Sequence, residues 1–344
     1  MARPGMRLAL ATLLLTLLVV LLGAFTRLVD AGLGCPDWPG CYGFLGVPMS
    51  EGKQNLALER FPDAPLEVAK GWFEMVHRYF AGALGLAILG LAVLALRRPQ
   101  MPRRLPLLLL AVVITQAMFG MWTVTLKLWP QVVTLHLLGG MTTLALVFLL
   151  CLRLSGRFPA APGIPRGLRR LGLAALILAV LQIALGGWVS SNYAAVACLD
   201  FPTCQGQWWP TADFANGFHL TQDVGPNYLG GLLYNDARTA IHLTHRLGAL
   251  LLSLVLLALA FSLWRRGLRG LAGLLLMALA AQLAIGIAMV LLHMPLSLAV
   301  AHNGGAAALL LALVLVNYRL RPMQASGQPV RTPPLHAIRP EIQP

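Results

Sequence analysis

Carboxylates are scarce in this chain. Twelve Asp and Glu are spread over 344 residues, and all charged types together make up 11%, where soluble domains carry about 25%. A soluble globular reading is excluded by that scarcity and by the way the apolar residues cluster. No basic stripe with interleaved aromatics appears, so the formal net charge of +14 does not indicate nucleic acid. No small-residue cleavage site follows the first apolar run, which is read as a retained helix rather than a signal peptide.

What is present is apolar sequence in long runs. Hydrophobic residues make up 58%, and stretches such as 8–22 and 247–264, with their flanks, approach the length needed to cross a bilayer. Backbone polar groups in lipid must be satisfied within the segment, so the runs are helices. The pattern predicts an all-α integral membrane protein with eight spans at about 7–28, 72–96, 105–126, 132–153, 171–190, 238–264, 271–292 and 298–318. The links alternate in character. One side collects Arg3, Arg7, Arg97, Arg98, Arg103, Arg104, Arg153, Arg157, Arg166, Arg169, Arg170, Arg265, Arg266, Arg269, Arg319, Arg321, Arg331 and Arg339. The other holds nearly all the acids, from Asp30 and Asp37 to Asp223 and Asp236. The positive-inside rule puts both termini in the cytoplasm, with long outer loops at about 29–71 and 191–237.

The chain repeats. Residues 23–43 read GAFTRLVDAGLGCPDWPGCYG and residues 186–206 read GGWVSSNYAAVACLDFPTCQG. Cys35, Cys41 and Gly43 align with Cys198, Cys204 and Gly206. Glu74-Met-Val-His77-Arg78 aligns with His242-Leu-Thr-His245-Arg246, Gln116 and Gly120 with Gln282 and Gly286, and His136 with His302. Each half has an even number of helices, so the halves keep one orientation and are related by an axis along the membrane normal. The expected organisation is two pseudo-symmetric four-helix bundles, 1–155 and 171–320, joined by a cytoplasmic linker at 156–170 and followed by a disordered tail at 321–344.

Four histidines, His77, His136, His245 and His302, fall at equivalent places within about two turns of the outer helix ends. Histidine inside a membrane is rare and marks sites; the bland alternative is an imidazole bonded to a neighbouring helix. Two symmetric pairs favour a haem iron gripped from both sides. Zinc fits less well, because it wants four close ligands. Gly139, Gly140, Gly304 and Gly305 leave room for a flat macrocycle or a neighbouring helix. Arg78 and Arg246 follow the first histidine of each pair. They match haem propionates, or else snorkel to water. Glu74 shares a helical face with His77, yet its counterpart is His242. That break points to proton handling or charge stabilisation beside a haem, against the alternative of a salt bridge to a loop arginine.

Cys35–Cys41 and Cys198–Cys204 lie in outer loops, where disulfides persist; a staple and a redox pair both remain open. Trp38 and Phe201 at matching positions read as an apolar lid over each bundle. Cys151 has no partner and reads as a packing residue. His219 and His293 read as surface or interfacial residues, and His336 belongs to the tail.

In combination TRLVDAGLGCPDWPGCYG, EMVHR, TLHLLGG, SSNYAAVACLDFPTCQGQWWP, AIHLTHR and AHNGG resemble the haem A synthase family over about 20–318. The resemblance implies an inner-membrane enzyme that oxidises the C8 methyl of haem O to a formyl group by two hydroxylations and loss of water, for terminal oxidases. It implies haem b held by His245 and His302 in the C-terminal half, and substrate haem O facing His77 and His136. It also implies an essential Glu74, a functionally important Cys35–Cys41 pair, and supply of haem O by a haem O synthase. The repeat alone supplies two haem sites and one asymmetric acid, not the reaction. A di-haem b electron carrier and a membrane thiol oxidase are the competing functions. The electron acceptor, any homo-oligomer and the role of the outer segment 205–237 stay open.

Overall fold

The structure, a computed structural model, describes residues 4–221 and 224–322. Arg3, Asp223, Arg331, Arg339, His336 and nearly all of the expected tail lie outside the described residues.

Among the described residues eight helices are long and apolar enough to span a membrane: α1 (Met6–Leu28), α3 (Val68–Arg97), α4 (Arg104–Thr125), α5 (Pro130–Ser155), α6 (Arg166–Ser191), α8 (Asn235–Arg265), α9 (Arg269–Leu291) and α10 (Leu296–Leu320). Two shorter helices sit in the long loops, α2 (Glu51–Arg60) and α7 (Phe214–Gly217), and a single 3-10 turn covers Ala194–Ala197. Helix α2 was not foreseen; it is a polar ten-residue segment without the apolar periodicity that marks the spans. Helix α6 begins at Arg166, five residues before expectation, so the link is shorter than 156–170.

The long helices α3 and α8 have 30 and 31 residues, roughly 45 Å of rise, against an apolar bilayer core of about 30 Å. Their arginine ends fix where the apolar part stops. Twenty residues separate His77 from Arg97 and His245 from Arg265, about one hydrocarbon thickness. The first histidine of each pair therefore stands at the far boundary from the arginine-rich ends.

Packing recurs with helices exchanged. α1 packs on α3 and α5, α3 on α4, and α4 on α5; α6 packs on α8 and α10, α8 on α9, and α9 on α10. Each set encloses its own apolar core. One includes Ala9, Ile88, Leu91, Leu109, Leu150 and Leu154, the other Ala175, Leu256, Leu259, Leu263, Leu275 and Leu313. The sets meet through α1 on α10, α5 on α6, and α5 on α10, around Val20, Met141, Leu144, Ala307 and Leu310.

At the end opposite the arginines, residues that correspond in the repeat touch each other. Arg27 Nη1 and Nη2 donate to the Tyr193 hydroxyl (2.8 Å) and the Ser190 carbonyl (2.8 Å), and the Tyr193 hydroxyl donates to Asp30 Oδ1 (2.7 Å). Arg27 corresponds to Ser190, and Asp30 to Tyr193. The second long loop also crosses over. Tyr228 N–H donates to the Lys127 carbonyl (3.0 Å), the Gln131 amide to the Leu220 carbonyl, and the Tyr228 hydroxyl to Asn192 (2.9 Å). The segment left open by the sequence thus touches the first half at Lys127 and Gln131, while α7 packs on α8 of its own half.

Candidate functional site

Each of the four histidine rings lies against a glycine of a neighbouring helix. A methyl built on Gly23 would stand 2.9 Å from His77 Cε1, and one on Gly186 3.3 Å from His245 Cε1. The same construction on Gly120 and Gly286 meets His136 Cε1 at 3.2 Å and His302 Cε1 at 3.0 Å. Close approach of a helix to each ring is thus built into both halves by four equivalent glycines. Gly139 and Gly305 instead make room for the side chains of Gln116 and Gln282. Those amides donate to the carbonyls of His136 (2.5 Å) and His302 (3.2 Å). Gln182 has no counterpart amide in the first half, where Val19 takes its place. Its amide nitrogen lies 3.0 Å from His245 Nδ1 and donates to the His245 carbonyl (2.9 Å).

His77, His136 and His302 each keep a buried Nδ1 without a hydrogen-bond partner, a cost of about 1–3 kcal/mol per group. Among the described residues no three His, Cys, Asp or Glu side chains converge as a metal-binding group. Two imidazoles per half suit an iron that brings four equatorial nitrogens of its own. They do not make a closed zinc site. The residues fit a haem.

The two disulfide loops share one backbone design. Cys35 and Cys41 have their sulfurs 2.02 Å apart, and Cys198 and Cys204 1.97 Å. All four cysteines are buried. Asp37 accepts the backbone N–H of Tyr42 (2.6 Å) and Gly43 (2.8 Å); Asp200 accepts those of Gln205 (2.7 Å) and Gly206 (3.0 Å). The hydrogen bond from the Thr203 hydroxyl, with these two N–H groups, holds the Asp200 carboxyl below its ordinary value. Tyr42 and Gln205 both adopt φ 55°, followed by Gly43 and Gly206 at 77° and 72°. Two successive left-handed residues turn the chain back, and glycine takes the second without strain. In the first loop burial, with Glu67, Glu74 and Asp37 adding to it, pushes the Tyr42 phenol up to about 12. It stays neutral and donates to the Pro65 carbonyl (2.7 Å).

An arginine clamps each loop to its helix. Arg78 Nη1 donates to the carbonyls of Asp37 (2.9 Å), Pro39 (3.3 Å) and Gly40 (2.5 Å). Arg246 donates to Thr203 (2.7 Å), Cys198 (3.1 Å) and Asp200 (2.9 Å). Propionate binding and snorkelling were the two sequence readings; the loop clamp is a third. Trp38 and Phe201 are not buried against their bundles. They stay 42% and 43% exposed, and Arg246 lies over the Phe201 ring.

Glu74 is where the halves differ. Its Oε1 pairs with Arg78 Nη2 at 2.5 Å, both side chains largely buried, and its Oε2 accepts the Cys35 N–H at 2.9 Å. The salt-bridge alternative had placed the partner in a loop; it lies instead one turn along the same helix. His242 replaces Glu74 in the second half, with its Nε2 3.4 Å from Arg246 Nε. His219 and His293 are exposed, and Cys151 is a buried free thiol, as the sequence reading had them. The sequence reading missed Asp37 and Asp200 as loop organisers, although their identical placement two residues after each first cysteine was the available signal. It matched Gly120 with Gly286 but placed neither these nor Gly23 and Gly186 beneath the rings.

Unreduced peptide maps are expected to contain 35–41 and 198–204 as the linked pairs. Cross-loop links or free thiols in protein from an oxidising compartment would contradict the pairing. Each ring is small, so removing the first pair by Cys35→Ser with Cys41→Ser should cost roughly 2 kcal/mol on the chain-entropy model. An activity loss far beyond that in protein that still folds would place chemistry, not stapling, at these sulfurs.

Eight candidate spans, two symmetric histidine pairs and duplicated disulfide loops define a multi-pass membrane protein. The chain belongs to the cytochrome oxidase assembly protein family, which it matches over residues 6–314. It is 47% identical to the haem A synthase of Shewanella oneidensis, covering 90% of this chain and 94% of that one. It is 32% identical to the haem A synthase of Rhodospirillum centenum, with 90% and 86% covered, and 30% identical to that of Caulobacter vibrioides, with 88% and 92% covered.

Proposed function

We propose that this chain is a haem A synthase, a membrane oxidoreductase that converts the C8 methyl of haem O to a formyl group. The observation that carries the reading beyond likeness is the single break in the repeat. Both halves hold a histidine pair, but only the first sets a buried carboxylate one turn from its histidine. An electron carrier with two b-type haems has no use for that difference. A thiol oxidase would need sulfurs open to exchange, and these are buried.

In this reading residues 1–155 form the substrate half and 171–320 the cofactor half, related by a pseudo-twofold axis. The contacts between corresponding residues at Arg27 and Asp30 support that axis. His245 and His302 hold haem b, which supplies iron redox chemistry when bound. His77 and His136 face haem O. Gln182 orients His245 from behind, a support the substrate half lacks, which suits a resident group on one side and an exchangeable one on the other. Glu74 takes or stabilises a proton or positive charge beside the reacting methyl, held in place by Arg78 and by the Cys35 N–H. Arg78 and Arg246 lie at the haem edge and keep each disulfide loop against it. The chain sits in the inner membrane with its arginine-rich ends in the cytoplasm and the histidine pairs near the periplasmic face. Haem O comes from a haem O synthase.

The test is pigment extraction from cells that make haem O, with and without this protein. Formyl-bearing haem appearing only with the protein is the expected result. Two equivalents of haem b and no haem A would support the carrier, and haem-free protein with bound quinone the thiol oxidase.

A further inference from the structure

We propose that a cleft between the halves binds one anionic phospholipid, independently of the haem chemistry. A cavity of about 450 Å³ lies between α5, α6 and α10. It starts at Leu138 and Ile183, level with the histidines, and runs along Met141, Ala145, Leu149 and Leu176 to the opposite end. The fifteen residue steps from Leu138 to Arg153 on α5 make it roughly 22 Å long. Its walls are apolar through most of that length. Apart from Thr142, its polar lining is confined to the arginine-rich end, where Arg153, Arg321, Asn317 and Tyr318 line it and no acidic residue does.

One end therefore suits a hydrocarbon chain and the other an anionic head group. Burying a chain in the cleft exchanges lipid contact for protein contact. The selective part is the net negative charge of the head group, since two cationic side chains with no acid beside them favour an anionic head over a zwitterionic one. Arg321 is already oriented: its guanidinium stacks 3.6 Å from the Tyr318 ring centroid, and Nη2 donates to the Phe158 carbonyl at 3.3 Å. Basic pockets between spanning helices at the cytoplasmic side are the usual seats of anionic head groups. Thr142, Val180 and Arg153 on the rim are exposed, so a lipid enters sideways from the bilayer. The occupant would span α5 of one half and α6 and α10 of the other, and so would bind only their joined state.

Thermal unfolding of the full-length protein in mild detergent tests this, with added phosphatidylglycerol or phosphatidylcholine of identical chains. The unfolding midpoint should rise with phosphatidylglycerol and not with phosphatidylcholine. Native mass spectrometry should retain one phosphatidylglycerol per chain. The double variant Arg153→Gln, Arg321→Gln should bind it about 30-fold more weakly, from the contribution of two basic residues near an anionic surface. The Arg153→Lys, Arg321→Lys pair should restore most of the response, and Ala145→Phe, which fills the cleft, should abolish it with both arginines intact. Equal responses to the two lipids, a glutamine double variant that binds normally, or a neutral prenyl or quinone adduct in place of phospholipid would overturn the proposal. None of these readouts depends on haem, so the proposal and the synthase reading fail separately.

Discussion

Alanine in place of either His245 or His302 is expected to take the C-terminal haem from stoichiometric to near absent. In the proposed reading these two imidazoles hold the iron, and each ring is backed by a glycine that lets the neighbouring helix close behind it. Losing one ligand therefore removes half of the protein's hold on the iron. The other histidine pair is not expected to substitute, because its rings sit on a different set of helices. The measurement is the reduced haem spectrum of purified protein, with His77→Ala as the comparison. The His77 variant should keep resident haem b while losing haem A output. A normal low-spin spectrum in both C-terminal variants would reverse the assignment of cofactor and substrate halves. Gly286→Leu offers a milder probe: it pushes on His302 without removing it, and should weaken haem retention while leaving both ligands present.

Glu74→Gln is the second large effect. The amide keeps the shape and can still accept the Cys35 N–H, but it loses the charge. General acid–base and charge-stabilising groups contribute typically about 10²–10⁴-fold, and haem A output should fall within that range. Haem b content should stay intact and haem O or a hydroxylated intermediate accumulate. The ion pair complicates the reading, since breaking a buried pair costs about 3–5 kcal/mol in its own right. Arg78→Gln breaks the same pair from the other side. If both variants lose stability and activity in parallel, the pair is structural and the mechanism does not need the carboxylate. If Glu74→Gln loses far more activity at matched stability, the carboxylate acts on the substrate. Near-normal haem A from well-folded Glu74→Gln protein would remove it from the chemistry.

The eight spans were legible because an apolar run of sufficient length has one stable form in lipid. The histidine quartet and the cysteine pairs were legible because the chain carries its own comparison: a residue kept at one offset in both halves stands out. What stayed hidden depended on partners from other helices. Gly23 and Gly186 look like ordinary small residues in apolar helices until α3 and α8 bring His77 and His245 against them. Arg78 and Arg246 were read as propionate partners or snorkelling residues, and the loop clamp stayed hidden because it is made to backbone carbonyls, which carry no side-chain signature. The outer loop 205–237 was opaque for the same reason. Its contacts to Lys127 and Asn192 run through main chain and amide groups that no sequence period marks.

The contacts between the halves have a consequence for how the chain must be assembled. A surface on which α1 meets α10 while α6 meets α5 is nearly self-complementary, so in principle either half offers a partner for a second copy of itself. Covalent joining through the stretch between Ser155 and Arg166 settles the matter by stoichiometry. Every molecule receives one half with Glu74 and one with His242, and like-with-like pairing loses to a partner held at high effective concentration. Cut within that stretch and produced as two fragments, the chain should still assemble, with some of the material diverted into pairs of identical halves. Two differently tagged copies of one fragment recovered together would reveal that diversion, and their complete absence would mean that the unlike faces alone carry the pairing.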